Sequence, residues 1–124
     1  MSNAPEPEIK ITEGTKAVIN DPGVVGTAEK VLKAAFGDKF RPSPPGTPSE
    51  DYSEFINAGV PSMFFNIGVY EPERVAAARE GAGPQLPANH SPLFAPVPKA
   101  TIETGVAAMT LAVMSVFDEH ARRK

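Results

Sequence analysis

The sequence predicts an α/β domain, in which helices pack on a layered sheet, and three observations carry that prediction. Asn20-Asp21-Pro22 opens a strongly amphipathic stretch that Gly37 closes. Ser62 to Val69 (SMFFNIGV) is nearly continuous apolar and aromatic, the pattern of a strand covered on both faces. A long apolar helix then follows from about Lys99. A helix over 50–58, the tight Gly59-Val60-Pro61 turn and then that buried strand is the order of an α/β layered sheet.

The first element is weak. Residues 7–12 (PEIKIT) alternate, with Ile9 and Ile11 on one side, as in a short half-buried strand ended by Gly14. In the next element Asp21 caps the free N–H groups and Pro22 fits the first helical position. Val25, Ala28, Leu32 and Ala35 recur at spacings of three and four, so a helix is expected over 22–36.

Residues 41–48 (RPSPPGTP) hold too much proline for regular structure and form a loop. Ser49 then caps a helix over 50–58, whose apolar stripe is Tyr52, Phe55 and Ile56, and Gly59 and Pro61 stop it. After the strand at 62–69, residues 71–98 are mostly loop, interrupted by a short helical stretch over 73–80. Loops this long in a compact domain are often functional. The final helix, 99–122, carries Ile102, Val106, Met109, Val113, Val116 and Phe117 in one stripe. Its basic tail, Arg122-Arg123-Lys124, suits the negative end of the helix dipole.

Composition narrows the function classes. The 124 residues are about one domain, 41% hydrophobic and 22% charged, which is ordinary for a globular chain. A net charge of −3, without interleaved basic and aromatic residues, argues against nucleic acid or anionic lipid as partners. The absence of cysteine removes disulfides, thiolate zinc ligands and a cysteine nucleophile. No apolar run reads as long enough to span a bilayer, and the acidic, Pro-rich N-terminus is unlike a signal peptide. The default expectation is therefore a cytoplasmic, membrane-independent chain.

Few residues can carry chemistry. A catalytic zinc takes three ligands from His, Asp and Glu, and this chain has two histidines. His120, among basic residues at a helix end, reads as a solvated residue favouring the helix C-terminus. His90, in Asn89-His90-Ser91-Pro92, is either a turn histidine or a metal ligand. Ser49, Glu50 and Asp51 are accounted for by helix capping, yet paired carboxylates could also face a metal or orient a ligating histidine. Gly68 ends the expected strand, where open α/β sheets place their sites; a simple strand-ending turn explains it equally. There is neither a phosphate-binding glycine loop nor a Gly-x-Ser-x-Gly elbow.

Taken in order, Ser49-Glu50-Asp51-Tyr52-Ser53-Glu54-Phe55, Gly59-Val60-Pro61, Phe64-Phe65-Asn66-Ile67-Gly68-Val69, His90-Ser91-Pro92 and a final helix containing Gly105 resemble one family. It is the dinuclear-zinc peptidases and amidohydrolases that include aminoacylases and hippurate hydrolases. The resemblance runs from about residue 8 to 117. It implies a partial version of that family's layered sheet, with residues 1–20 as the tail of the lid (dimerisation) domain and 21–124 as the C-terminal part of the catalytic domain. It implies zinc as cofactor in the complete enzyme, His90 as a metal ligand, and substrate-side roles for Asn20, Ser49, Glu50, Asp51 and Gly68. N-acyl amino acids or small peptides are the implied substrates.

The departures are large. The family's upstream histidine and aspartate ligands, its adjacent glutamates including the general base, and most of its lid have no counterpart. Ala95-Pro96-Val97-Pro98-Lys99 also lacks the carboxylates often seen after His-Ser-Pro. Without a bridging carboxylate and a base, nothing activates water at neutral pH. The expectation is a chain inactive by itself and prone to self-association; the alternative is a non-catalytic α/β interaction module.

Overall fold

The computed structural model describes residues 5–12, 14–46 and 50–124. Four α-helices follow in chain order: α1 (Pro22–Phe36), α2 (Ser53–Asn57), α3 (Pro72–Arg79) and α4 (Pro98–Arg122), with a 3-10 turn at Gly37–Lys39 after α1. Among the described residues there is no strand, so the expected α/β layered sheet is overturned and the fold is all-helical.

α1 forms where its local signals place it. The Asp21 carboxylate accepts a hydrogen bond from the Val24 N–H at 2.9 Å, and Pro22 occupies the first turn. Gly37 adopts φ 52, a left-handed conformation costly for residues with a Cβ, and its N–H donates to the Lys33 carbonyl.

α1 packs on α4, the only helix–helix interface among the described elements. From α1 come Ala28 and Leu32; from α4 come Ala108 and Ala112, with Ser115 beside them. Ser115 sits in the buried face by donating its hydroxyl to the Ala112 carbonyl at 2.7 Å, so no polar atom is stranded there. The small residues on α4 let the helix backbones approach closely. Among the described residues, four buried apolar residues make a small core, bordered by Val31, Phe36, Phe40, Met63, Phe65, Ile67 and Leu111.

Residues 62–69 are extended without being a strand. Met63, Phe65 and Ile67 turn toward the core, whereas Phe64, Asn66 and Gly68 are exposed. One face is thus covered where the apolar run predicts two. The segment is held at a few points: its Ser62 carbonyl accepts from Asp21 N–H at 2.8 Å and its Val69 carbonyl from Val97 N–H at 2.9 Å. Local sequence can set an extended backbone, but a ladder requires a second extended segment alongside, and none is described. Residues 7–12 fare similarly. They carry no regular structure and are exposed, with Ile11 93% accessible, so the half-buried strand expected there is also overturned.

The helix expected over 50–58 shortens to Ser53–Asn57, with Tyr52 at the N-cap and no side-chain cap bond. Ser49, expected to cap it, lies outside the described residues. Pro98 opens α4 at its first turn, one residue earlier than expected, and the helix runs on to Arg122. At 25 residues, α4 is the one described helix long and apolar enough to cross a bilayer, which corrects the reading that no such run exists.

Candidate functional site

The residues singled out by sequence do not converge on one site; they fall in three places. The first is a groove of about 760 Å³ between α1, the loop after it and the extended segment. Asn20 and Gly68 line it. Its apolar floor is Leu32, Phe36, Phe40 and Phe65, and Lys39, Arg41 and Arg79 bring positive charge to its wall. Glu29 is the acidic group of the lining, and it pairs with Lys33 one turn along α1.

Asn20 does more than line the groove. Its carboxamide oxygen accepts from the Phe64 N–H at 2.7 Å, and its amide nitrogen donates to the Phe64 carbonyl at 2.9 Å. One side chain therefore satisfies both main-chain groups of a residue 44 positions away. The substrate-side role implied for Asn20 has a structural competitor in this clamp.

The second place is the start of α2. The Glu50 carboxylate accepts from the Tyr52 N–H at 3.2 Å, and the Glu50 carbonyl accepts from the Ser53 hydroxyl at 3.1 Å. The Asp51 carbonyl accepts from the Glu54 N–H at 3.0 Å while its side chain is exposed. These are the contacts of a helix start. Neither carboxylate lines the groove.

The third is the turn carrying His90. Ser91 N–H donates to the Ala88 carbonyl at 3.1 Å, closing a four-residue turn whose third position is His90. His90 has φ 68 and is the one non-glycine residue described with positive φ. A type II turn demands that geometry and normally fills it with glycine or asparagine. Ser91 braces the exit, its hydroxyl accepting from Leu93 N–H at 3.2 Å and its carbonyl from Phe94 N–H at 3.0 Å. The imidazole-bearing residue itself is exposed.

Tyr70, which sequence reading passed over, ties this loop to the rest. Its hydroxyl donates to the Pro87 carbonyl at 2.5 Å, its ring meets Phe94 edge-on at 6.0 Å, and Arg74 lies over it at 5.4 Å. Bulky aromatics after an apolar run look like core, so the run of residues up to Tyr70 concealed its role as an anchor. The lining cations Lys39, Arg41 and Arg79 were missed too, because they stand in segments that read as loop or minor helix.

Among the described residues, no three His, Cys, Asp or Glu side chains gather closely enough to hold a metal ion. No family model matches the chain, and no solved structure matches it.

Proposed function

We propose that this chain is a C-terminal segment of a metal-dependent amidohydrolase of the aminoacylase and hippurate-hydrolase type. In this reading residues 1–20 are the end of the lid, and 21–124 supply one zinc ligand, His90, together with part of a substrate wall. The observation that carries it is His90: an exposed imidazole held at φ 68 inside Asn89-His90-Ser91-Pro92. Strained backbone at a chemically capable side chain points toward function. The ordered motifs from Glu50 to Gly105 support the same reading. So does the groove, whose apolar floor and cationic wall suit the acyl chain and carboxylate of an N-acyl amino acid. The all-helical architecture counts against it, because the layered sheet that the resemblance implies is absent from the described residues.

One imidazole cannot hydrolyse an amide. A bound metal would supply polarisation of the scissile carbonyl, and a separate carboxylate would have to take the proton from water. Both the remaining donors and that base come from outside these residues in this reading. The test is zinc titration with an assay on N-acyl amino acids. Weak binding that His90→Ala removes, with no turnover by the chain alone, is the expected result. Zinc binding unaffected by His90→Ala sinks the ligand role; tight binding with turnover sinks the incompleteness.

A second reading, a non-catalytic interaction module, is favoured by the small core and the apolar surface it leaves uncovered. A partner that binds equally well to the His90→Ala chain would favour it.

A further inference from the structure

α4 presents two different faces. Ala108, Ala112 and Ser115 are buried on α1, whereas Ile102, Val106, Met109, Val113 and Val116 lie on an exposed face, with accessibilities from 37% at Val116 to 64% at Ile102. The exposed five follow one another at spacings of four, three, four and three, and His120 takes the next place four residues on. This is the heptad seam by which one helix packs along another, and it is unoccupied by any described part of the chain. With Phe117 at its flank, roughly 600 Å² of large apolar side chain faces solvent, against the roughly 800 Å² that each partner gives a standard stable interface. Patches of this size on a monomer mark interaction sites.

We propose that the occupant of this seam is α4 of a second copy, running antiparallel. Alternation between the two heptad positions makes the face self-complementary: an axis near residue 111 sets Met109 against Val113 of the second copy, Val106 against Val116, and Ile102 against His120. The four central apolar positions then pair with one another and each Ile102 meets a histidine at the end of the seam, a self-matching arrangement that a two-fold interface requires. Charge selects the direction. A parallel pair would bring two Arg122-Arg123-Lys124 tails together and align the two helix dipoles, whereas antiparallel pairing separates the tails and opposes the dipoles. The inference is separate from the hydrolase reading, because no residue of the seam lines the groove or belongs to the His90 turn.

Sedimentation of the full chain tests it. The expected result is a dimer at tens of micromolar, with Met109→Glu and Val113→Glu each weakening association at least tenfold while far-UV circular dichroism stays unchanged. Ala107→Glu, exposed on α4 but off the seam, should leave the dimer intact. A wild-type monomer throughout that range, or dimers that survive both seam substitutions, overturns the proposal. Direction is read with single cysteines, since the chain has none. A short thiol cross-linker should join Met109→Cys copies but not Ile102→Cys copies, which stand about 27 Å apart in the antiparallel pair. Efficient linkage at Ile102 overturns that direction. Flotation with phosphatidylcholine vesicles checks the bilayer: co-flotation of a chain that does not dimerise, abolished by Val113→Glu, would assign the seam to lipid instead.

Discussion

The Asn20 carboxamide forms a two-way clamp on Phe64, accepting from its N–H at 2.7 Å and donating to its carbonyl at 2.9 Å. It does for one residue what a neighbouring strand does for a row of them. The clamp joins the chain just before α1 to the extended segment that borders the core, and the bond from Asp21 N–H to the Ser62 carbonyl reinforces it. Replacing Asn20 with Ala removes both bonds and should lower stability by about 1–2 kcal/mol. Asn20→Asp keeps the acceptor but turns a carboxylate oxygen toward the Phe64 carbonyl, so it too should destabilise. Urea unfolding decides; an unchanged midpoint in both variants would show the clamp to be idle.

The α1–α4 interface depends on small residues. Leucine at Ala112, which is buried, forces the helices apart and should cost about 1–3 kcal/mol. Ala107→Leu, exposed on the same helix, should be nearly neutral. Equal thermal midpoints for the two variants would contradict the packing described.

Tyr70 anchors the loop through its hydroxyl and its ring. Tyr70→Phe keeps the edge contact with Phe94 and loses the bond to Pro87, an expected loss of about 1 kcal/mol. Amide exchange over residues 86–94 should accelerate more than exchange within α1. Uniform acceleration across the chain would count against a local anchor.

His90 sits in a conformation that favours glycine. His90→Gly should therefore be more stable than His90→Ala by about 1 kcal/mol, although both lose the imidazole. Their denaturant midpoints separate backbone strain from side-chain chemistry. If zinc binding falls in both while stability rises only in the glycine variant, the two roles are distinct. If the alanine variant is the more stable, the turn does not have this geometry.

Near the end of α4, a hydrogen bond from Arg123 and its positive charge hold the Glu119 carboxyl below the usual glutamate range. The sign follows from linkage. A lowered carboxyl contributes stability above its unfolded-state pKa and loses it as pH falls through the lower folded value. The pair is exposed, so its contribution is small and salt should screen it. Carboxyl chemical shifts of Glu119 followed from pH 7 to pH 2 measure this, and Arg123→Ala should raise the titration toward the ordinary value. No change on that substitution would refute the cause assigned.

Much of the helical content was legible because its signals are local. Asp21, Pro22 and Gly37 mark both ends of α1, and each acts within one turn of itself. The apolar stripe of α4 was equally visible, but not which face would be buried. The bulkier apolar face invites the prediction of core, yet the alanine and serine face takes that place, because two helices approach most closely where side chains are small. The expected sheet failed for a different reason. SMFFNIGV determines an extended backbone, and pairing depends on a partner that no single segment encodes.

The candidate site divides along the same line. Sequence alone determined where chemistry could reside, in His90, Asn20 and the carboxylates Glu50 and Asp51, since residue type is local information. Tertiary structure decided that these do not meet: Asn20 is engaged with Phe64, Glu50 with the start of α2, and His90 stands exposed on its own turn. Helix ends and turns are settled by interactions a few residues long, whereas the convergence of groups is settled by packing between distant segments, and that packing exists only once the chain has folded.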